Sequence, residues 1–308
     1  MEIALQFVLL ALGFVMLAKG ADWFVEGAAG IAMRFGIPQL VIGLTIVAMG
    51  TSAPEAAVSI AASVKGNADI TIGNIVGSNI LNILVILGLA ASIVPIAVAR
   101  STVRIEIPFM IGVTALLFYQ GRDGSISLAD GGVLMVAFAA YMMYLYTMAM
   151  KSNVDSDLEE PGLPLGRCLL GAVGGLALII AGSNVTVGAA TSIATYAGLS
   201  ERFIGLTIVA LGTSLPELFT SVAAARRGNA DIAIGNIVGS NIFNILFVVG
   251  LSSLIIDIPF ASAFNFDTYV ALGAAVLLLL CVLRTQKLQR WAGALMLVCY
   301  AVYLGYIL

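Results

Sequence analysis

Histidine is absent from this 308-residue chain, and charged side chains make up only 10% of it. A soluble globular domain is about one quarter charged, so that class is excluded. The three cysteines, Cys168, Cys281 and Cys299, are odd in number, unpaired in spacing and set within apolar runs. That pattern argues against a disulfide framework and a cysteine-ligated metal, and leaves them as small packing residues. There is no basic patch for nucleic acid, and the net charge of −3 is spread over loops and a few intramembrane positions. The first apolar run begins at Ile3 behind one acidic residue, without a basic lead or a small-residue cleavage site, so a removable signal peptide is not expected. Nothing indicates a cofactor or an obligatory protein partner.

What the chain has in abundance is hydrophobic residues, 61% of the total. Apolar runs of about 20 residues each reach across a bilayer, and their number predicts an all-α polytopic membrane protein of ten transmembrane helices. The expected spans are 3–33, 38–64, 70–93, 104–119, 126–149, 165–197, 201–225, 232–256, 268–283 and 291–307. The first and sixth are long enough to tilt strongly. With the N-terminus outside, the cytoplasmic ends hold Arg34, Arg100, Arg104, Lys151, Arg167, Arg226, Arg227, Arg284, Lys287 and Arg290, against Lys65, Arg122 and Arg202 on the other side. This bias predicts that both termini lie outside, and a multi-pass protein of the plasma membrane is expected.

Residues 43–84 recur as residues 205–246, with 31 of 42 positions identical at a constant offset of 162. Five helices per half is an odd number, so the halves enter the membrane in opposite orientation: an N-terminal repeat over 1–150, a cytoplasmic linker over 151–164 and a C-terminal repeat over 165–308. Inverted repeats of this kind place substrate sites near the midplane on broken helices.

Each copy carries one carboxylate in an apolar, glycine-rich setting, Glu55 in GTSAPE and Glu217 in GTSLPE. Such residues are costly in lipid and mark function. Pro54 and Pro216 lack an N–H, so the carbonyls of Gly50 and Gly212 are expected to lose their helical donors, and freed carbonyls are tolerated only against protein or a wet cavity. The second motif, GNIVGSNILN or GNIVGSNIFN, sets Asn74, Ser78 and Asn82 on one helical stripe. Its glycines, Gly73 and Gly77 or Gly235 and Gly239, have the small-xxx-small spacing of close helix contacts. Ser78 and Asn82 are expected to face Glu55 across that contact, and Asn74 is equally readable as helix glue.

Duplicated, these two motifs resemble the alpha repeats of the sodium/calcium exchanger family among the calcium/cation antiporters. The helix count and inverted halves fit along the whole chain, and the lack of a large intracellular loop makes it similar to compact prokaryotic members. The resemblance implies a secondary antiporter, not an enzyme, exchanging Na+ for Ca2+ by alternating access, with helices 1 and 6 moving against the others. Carried over by motif position, it implies ion ligands at Thr51, Ser52, Glu55, Ser78 and Asn82, with Thr213, Ser214, Glu217, Ser240 and Asn244 in the second copy, and carbonyl ligands at Ala48 and Ala210. Some similar members carry Asp where Asn244 stands. Here both halves read Asn, which leaves two formal negative charges and argues against K+ co-transport.

The chemistry agrees, because Ca2+ takes roughly six to eight hard oxygen ligands and two carboxylates neutralise one Ca2+. A Ca2+/H+ antiporter of the same fold stays open, with the glutamates as proton carriers. A channel and an intramembrane hydrolase are weaker readings: the first needs a continuous pore, the second a nucleophile–base pair that does not appear. Lys19, Asp22 and Glu26 form a further cluster, read as a local ion pair or a water-facing face, with an entrance role as the alternative. Asp69 and Asp231 are expected to cap helix starts.

Overall fold

The computed structural model describes residues 2–151, 163–198 and 210–307, the side chains at 2, 69 and 210 excepted. The linker expected over 151–164, Arg202 and the opening of the seventh span fall largely outside these residues. The described chain is helical: α1 (Glu2–Arg34), α2 (Gln39–Thr51), α3 (Ala53–Val64), α4 (Ile70–Ile93), α5 (Thr102–Asp123), α6 (Leu128–Lys151), α7 (Leu165–Tyr196), α8 (Ala210–Thr213), α9 (Leu215–Arg226), α10 (Ala230–Ile255), α11 (Ala263–Val282) and α12 (Arg290–Ile307). Among the described residues eight helices are long and apolar enough to cross a membrane, or nine if the bent pair α2–α3 counts as one span. The protein is thus an all-helical, multi-pass membrane protein.

Burial sorts the helices by role. The most apolar stretch is 78% buried in α4 and 94% in α10, but only 17% in α1, α6 and α12. Helices α4 and α10 form the centre, and α1, α6 and α12 turn apolar faces outward. α1 and α7 lie against each other along small residues. A Cβ added at Gly27 would fall 2.4 Å from the Ala172 nitrogen, and one at Gly20 2.9 Å from the Gly175 carbonyl, so the two backbones touch as small-residue seams allow. Cys168 packs in this seam against Gly30, in keeping with its reading as a packing residue.

Two short antiparallel pairings tie the first half to the second: β1 (Ile96–Ala97) with β4 (Lys287–Leu288), and β2 (Ser125–Ile126) with β3 (Ile258–Pro259). Most described span boundaries differ from the sequence expectation by one to five residues, and three differences have a local cause. Residues 38–64 are not one helix but two, bent by 50°. α5 begins at Thr102, earlier than 104, with a π-helical turn over Thr102–Glu106. α11 begins at Ala263 and not at 268, because the polar residues of its first turns are satisfied: Thr268 Oγ1 donates to the Phe264 carbonyl at 2.7 Å, and Asp267 accepts from the Tyr303 hydroxyl at 2.9 Å.

Candidate ion-binding site

The site is built where α2 gives way to α3 and α8 to α9. Ser52 leaves the helical conformation (φ −82°, ψ 6°) and Ser214 does the same (φ −89°, ψ 4°). Pro54 and Pro216 then sit in the first turn of the restarted helix, where a missing N–H has no intrahelical partner to lose. Glu55 and Glu217 occupy the same first turns, at the positive end of each helix dipole. The carbonyl expected to be freed at Gly212 accepts from Ser183 Oγ of α7 at 2.7 Å. The matching expectation at Gly50 is corrected. Backbone N–H groups at the break close on the carbonyls of Ala48 and Gly50, because the bend tightens the last turn.

Both carboxylates are buried, each 1% exposed. Ser52 Oγ donates to Glu217 Oε1 at 2.8 Å, and Ser214 Oγ to Glu55 Oε1 at 3.3 Å. The other oxygens, Glu55 Oε2 and Glu217 Oε2, are fully buried and have no hydrogen-bond partner among the described residues. A buried, unpaired carboxylate oxygen is expensive, and here there are two.

α4 and α10 supply the rest. Each contains a π-helical turn at the repeat offset, Asn82–Leu87 and Asn244–Val249, an irregularity that recurs at functional sites. Asn79 Nδ2 donates to the Asn241 carbonyl and Asn241 Nδ2 to the Asn79 carbonyl, both at 3.2 Å. Asn82 Nδ2 donates to Asn241 Oδ1 at 2.9 Å and Asn244 Nδ2 to Asn79 Oδ1 at 3.1 Å. The amide oxygens of Asn82 and Asn244 remain, again buried and unpartnered.

The residues named from the sequence are largely brought together. The tight small-residue contact, expected within a repeat, forms between repeats: Gly43 of α2 lies against Gly235 of α10, and a Cβ at Gly239 would come within 2.8 Å of Leu44 and Ala48, whereas one at Gly77 would meet no described atom within 4 Å. Across it, Thr51 Oγ1 donates to Asn236 Oδ1 at 3.0 Å and Ser240 Oγ to the Ala48 carbonyl at 3.3 Å. Ser78 is buried in α4, Thr213 is half-buried, and Ala210 opens α8. Within a repeat the link is Asn74, whose Nδ2 donates to Ser59 Oγ at 2.9 Å and the Glu55 carbonyl at 3.3 Å, fastening α4 to α3. Asn236 does the same for α9 through Ser221 and the Glu217 carbonyl, so the glue reading of Asn74 holds.

Two further expectations are corrected. Asp231 lies one residue inside α10, behind Asn229, and no side chain caps that start. Of the two readings of Asp22 and Glu26, the ion pair within α1 is not formed, while both side chains are exposed, 43% and 49%, as a water-facing face would have them. Arg227, at the end of α9, takes both, at 3.2 and 3.1 Å, because a cation from a facing helix reaches outward-pointing carboxylates that Lys19 does not. Sequence reasoning missed Asn79, Asn241, Asn236, Ser59, Ser221 and Ser183. The first five are polar and identical in both repeats within apolar runs, which was a usable signal. Ser183 has Ala21 as its counterpart and carried none.

Among the described residues no three His, Cys, Asp or Glu side chains gather, so the site offers two carboxylates amid neutral oxygens. Such a set suits a hard cation. The sequence profile of the sodium/calcium exchanger protein family matches residues 5–147 and 168–308, and the chain belongs to that family, one of transporters. It is 38% identical to the inner membrane protein YrbG of Escherichia coli (strain K12), over 96% of this chain and 95% of that one. It is 33% identical to the sodium/calcium exchanger MaX1 of Methanosarcina acetivorans, over 98% of each. Among solved structures it is similar to the sodium-calcium exchanger NCX_Mj, with a TM-score of 0.87 and 35% identity over 98% of this chain and 99% of that one.

Proposed function

We propose that this chain is a secondary antiporter that exchanges Na+ for Ca2+ by alternating access across the plasma membrane. Its ten spans form two inverted five-helix halves, 1–150 and 165–308, joined by a cytoplasmic linker over 151–164, with both termini outside. The observation that carries the reading is that the duplicated motifs hold four buried oxygens unpartnered among the described residues, Glu55 Oε2, Glu217 Oε2, Asn82 Oδ1 and Asn244 Oδ1. All four are acceptors, and donors are lacking for each. A cation is the partner that satisfies such a set without adding a polar group of its own. MaX1 and NCX_Mj, which bear the name of sodium/calcium exchangers, support the choice of ions, and YrbG, named an inner membrane protein, supports the location.

In this reading the ion ligands are Thr51, Ser52, Glu55, Ser78, Asn82, Thr213, Ser214, Glu217, Ser240 and Asn244, with the carbonyls of Ala48 and Ala210. One Ca2+ neutralises the two glutamates. Several Na+ ions divide the same oxygens, so the two cargoes exclude each other and exchange follows. Three Na+ leave the loaded site at +1, and at about 2.3 kcal/mol per charge per 100 mV the membrane potential favours Ca2+ export.

The test is radioactive Ca2+ uptake into proteoliposomes of the purified protein, with an outward gradient of Na+, K+ or protons. Uptake is expected with the Na+ gradient alone. Equal uptake driven by protons without Na+ would replace this reading by Ca2+/H+ exchange, and Ca2+ entry with no trans ion would indicate a channel.

A further inference from the structure

Asn79 and Asn241 lie between the two halves and make two kinds of hydrogen bond. Their Nδ2 groups bond reciprocally to each other's backbone carbonyl. A carbonyl only accepts, so these bonds fix which end of each amide is nitrogen. The Oδ1 ends therefore point the other way, and each meets a second amide, Asn244 for Asn79 and Asn82 for Asn241. An oxygen there accepts only from nitrogen, which forces Asn244 and Asn82 to present Nδ2 to it. Their own Oδ1 atoms are then turned away, and these are two of the four unpartnered oxygens of the duplicated motifs. An amide rotated by half a turn would aim an N–H at a cation instead. Holding the helices together needs only the reciprocal backbone bonds. The second pair of bonds does something else.

We infer that Asn79 and Asn241 are positioning residues that lock the amides of Asn244 and Asn82 with their oxygens toward the transported ion, each acting on the other repeat's ligand. The inference rests on the ion site proposed above. Its chemistry has a distinguishing consequence. A carboxylate carries oxygen at both ends and has no wrong orientation, so an Asp in place of Asn244 no longer needs Asn79, and an Asp in place of Asn82 no longer needs Asn241.

The experiment is a crossed set of variants in proteoliposomes, read as the half-saturating Ca2+ concentration and the maximal rate of Na+-driven uptake, with thermal unfolding of each protein alongside. Asn79→Ala is expected to raise half-saturating Ca2+ by about 10- to 100-fold, the usual cost of removing a group that orients a ligand, with a smaller change in maximal rate. Within the Asn244→Asp background the same change is expected to cost little, and within Asn82→Asp the full amount. Asn241→Ala follows the mirror pattern, rescued by Asn82→Asp and not by Asn244→Asp. If an alanine variant fails to insert, Ser takes its place, too short to reach the partner amide. Equal losses in all backgrounds, or no loss in the parent, would overturn the inference while leaving the antiporter standing. A parent protein without Na+-driven Ca2+ uptake would sink both.

Discussion

Ser52 donates to Glu217 at 2.8 Å and Ser214 to Glu55 at 3.3 Å, so each carboxylate is held by the serine of the opposite repeat. The same crossing recurs at Thr51 with Asn236, at Ala48 with Ser240 and at Asn79 with Asn244. A relative movement of the halves therefore acts on both carboxylates together, which suits the alternating access proposed above.

Glu55→Gln and Glu217→Gln are each expected to abolish Ca2+ transport while the protein still inserts and folds. Removing one charge leaves a divalent ion half neutralised in a medium of low dielectric constant, and the replacement amide adds an N–H where only acceptors are wanted. Ca2+ flux and size-exclusion profiles of the two variants check this. Near-normal exchange in both would move the site elsewhere.

Gly239→Ala tests the approach of α10 to α2. Its Cβ would lie 2.8 Å from the Ala48 Cβ and from the Leu44 Cα and carbonyl, none of them the free end of a side chain. Overpacking of this kind costs about 1–3 kcal/mol, and it displaces the Ala48 carbonyl that Ser240 holds. A lowered melting temperature and reduced flux are expected. Gly273→Ala in α11, with no described atom within 4 Å of the added carbon, is the control and leaves both near the parent values.

Asn244→Asp adds a third carboxylate and removes the N–H that Asn79 Oδ1 accepts. The parent protein is expected to exchange electrogenically and without regard to K+. Flux through the variant gains pH dependence, because like charges crowded in one site make its protonation matter, and the balance among Ca2+, Na+ and K+ shifts. Ca2+ flux of the two proteins against pH and K+ decides it. Strong K+ dependence in the parent, or matching pH profiles, would show that this position does not set the site charge.

Arg227→Gln removes both ion pairs to Asp22 and Glu26. These side chains are 36–49% exposed, and exposed pairs contribute about 0–1 kcal/mol. The melting temperature is expected to stay within a few degrees of the parent's. A large drop would mean that this contact carries the docking of α1 on α9.

The sequence alone was enough for the membrane class, the duplicated motifs and the two glutamates. These are local facts: ten per cent charge cannot coat a soluble surface, and a carboxylate in an apolar run stands out without knowledge of its neighbours. The breaks at Ser52 and Ser214 were half legible, since proline announces a bend but not which carbonyl stays open. Only the tertiary structure decided the pairing. Two copies identical at 31 of 42 positions offer the same groups at the same spacing, so no local pattern distinguishes Ser52 donating to the glutamate of its own repeat from Ser52 donating to Glu217. The amide oxygens of Asn79 and Asn241, the Ser183 bond to Gly212 and the reach of Arg227 to Asp22 lie in the same category. Each joins groups far apart in the chain, and their energies depend on a distance that exists only once the helices have packed.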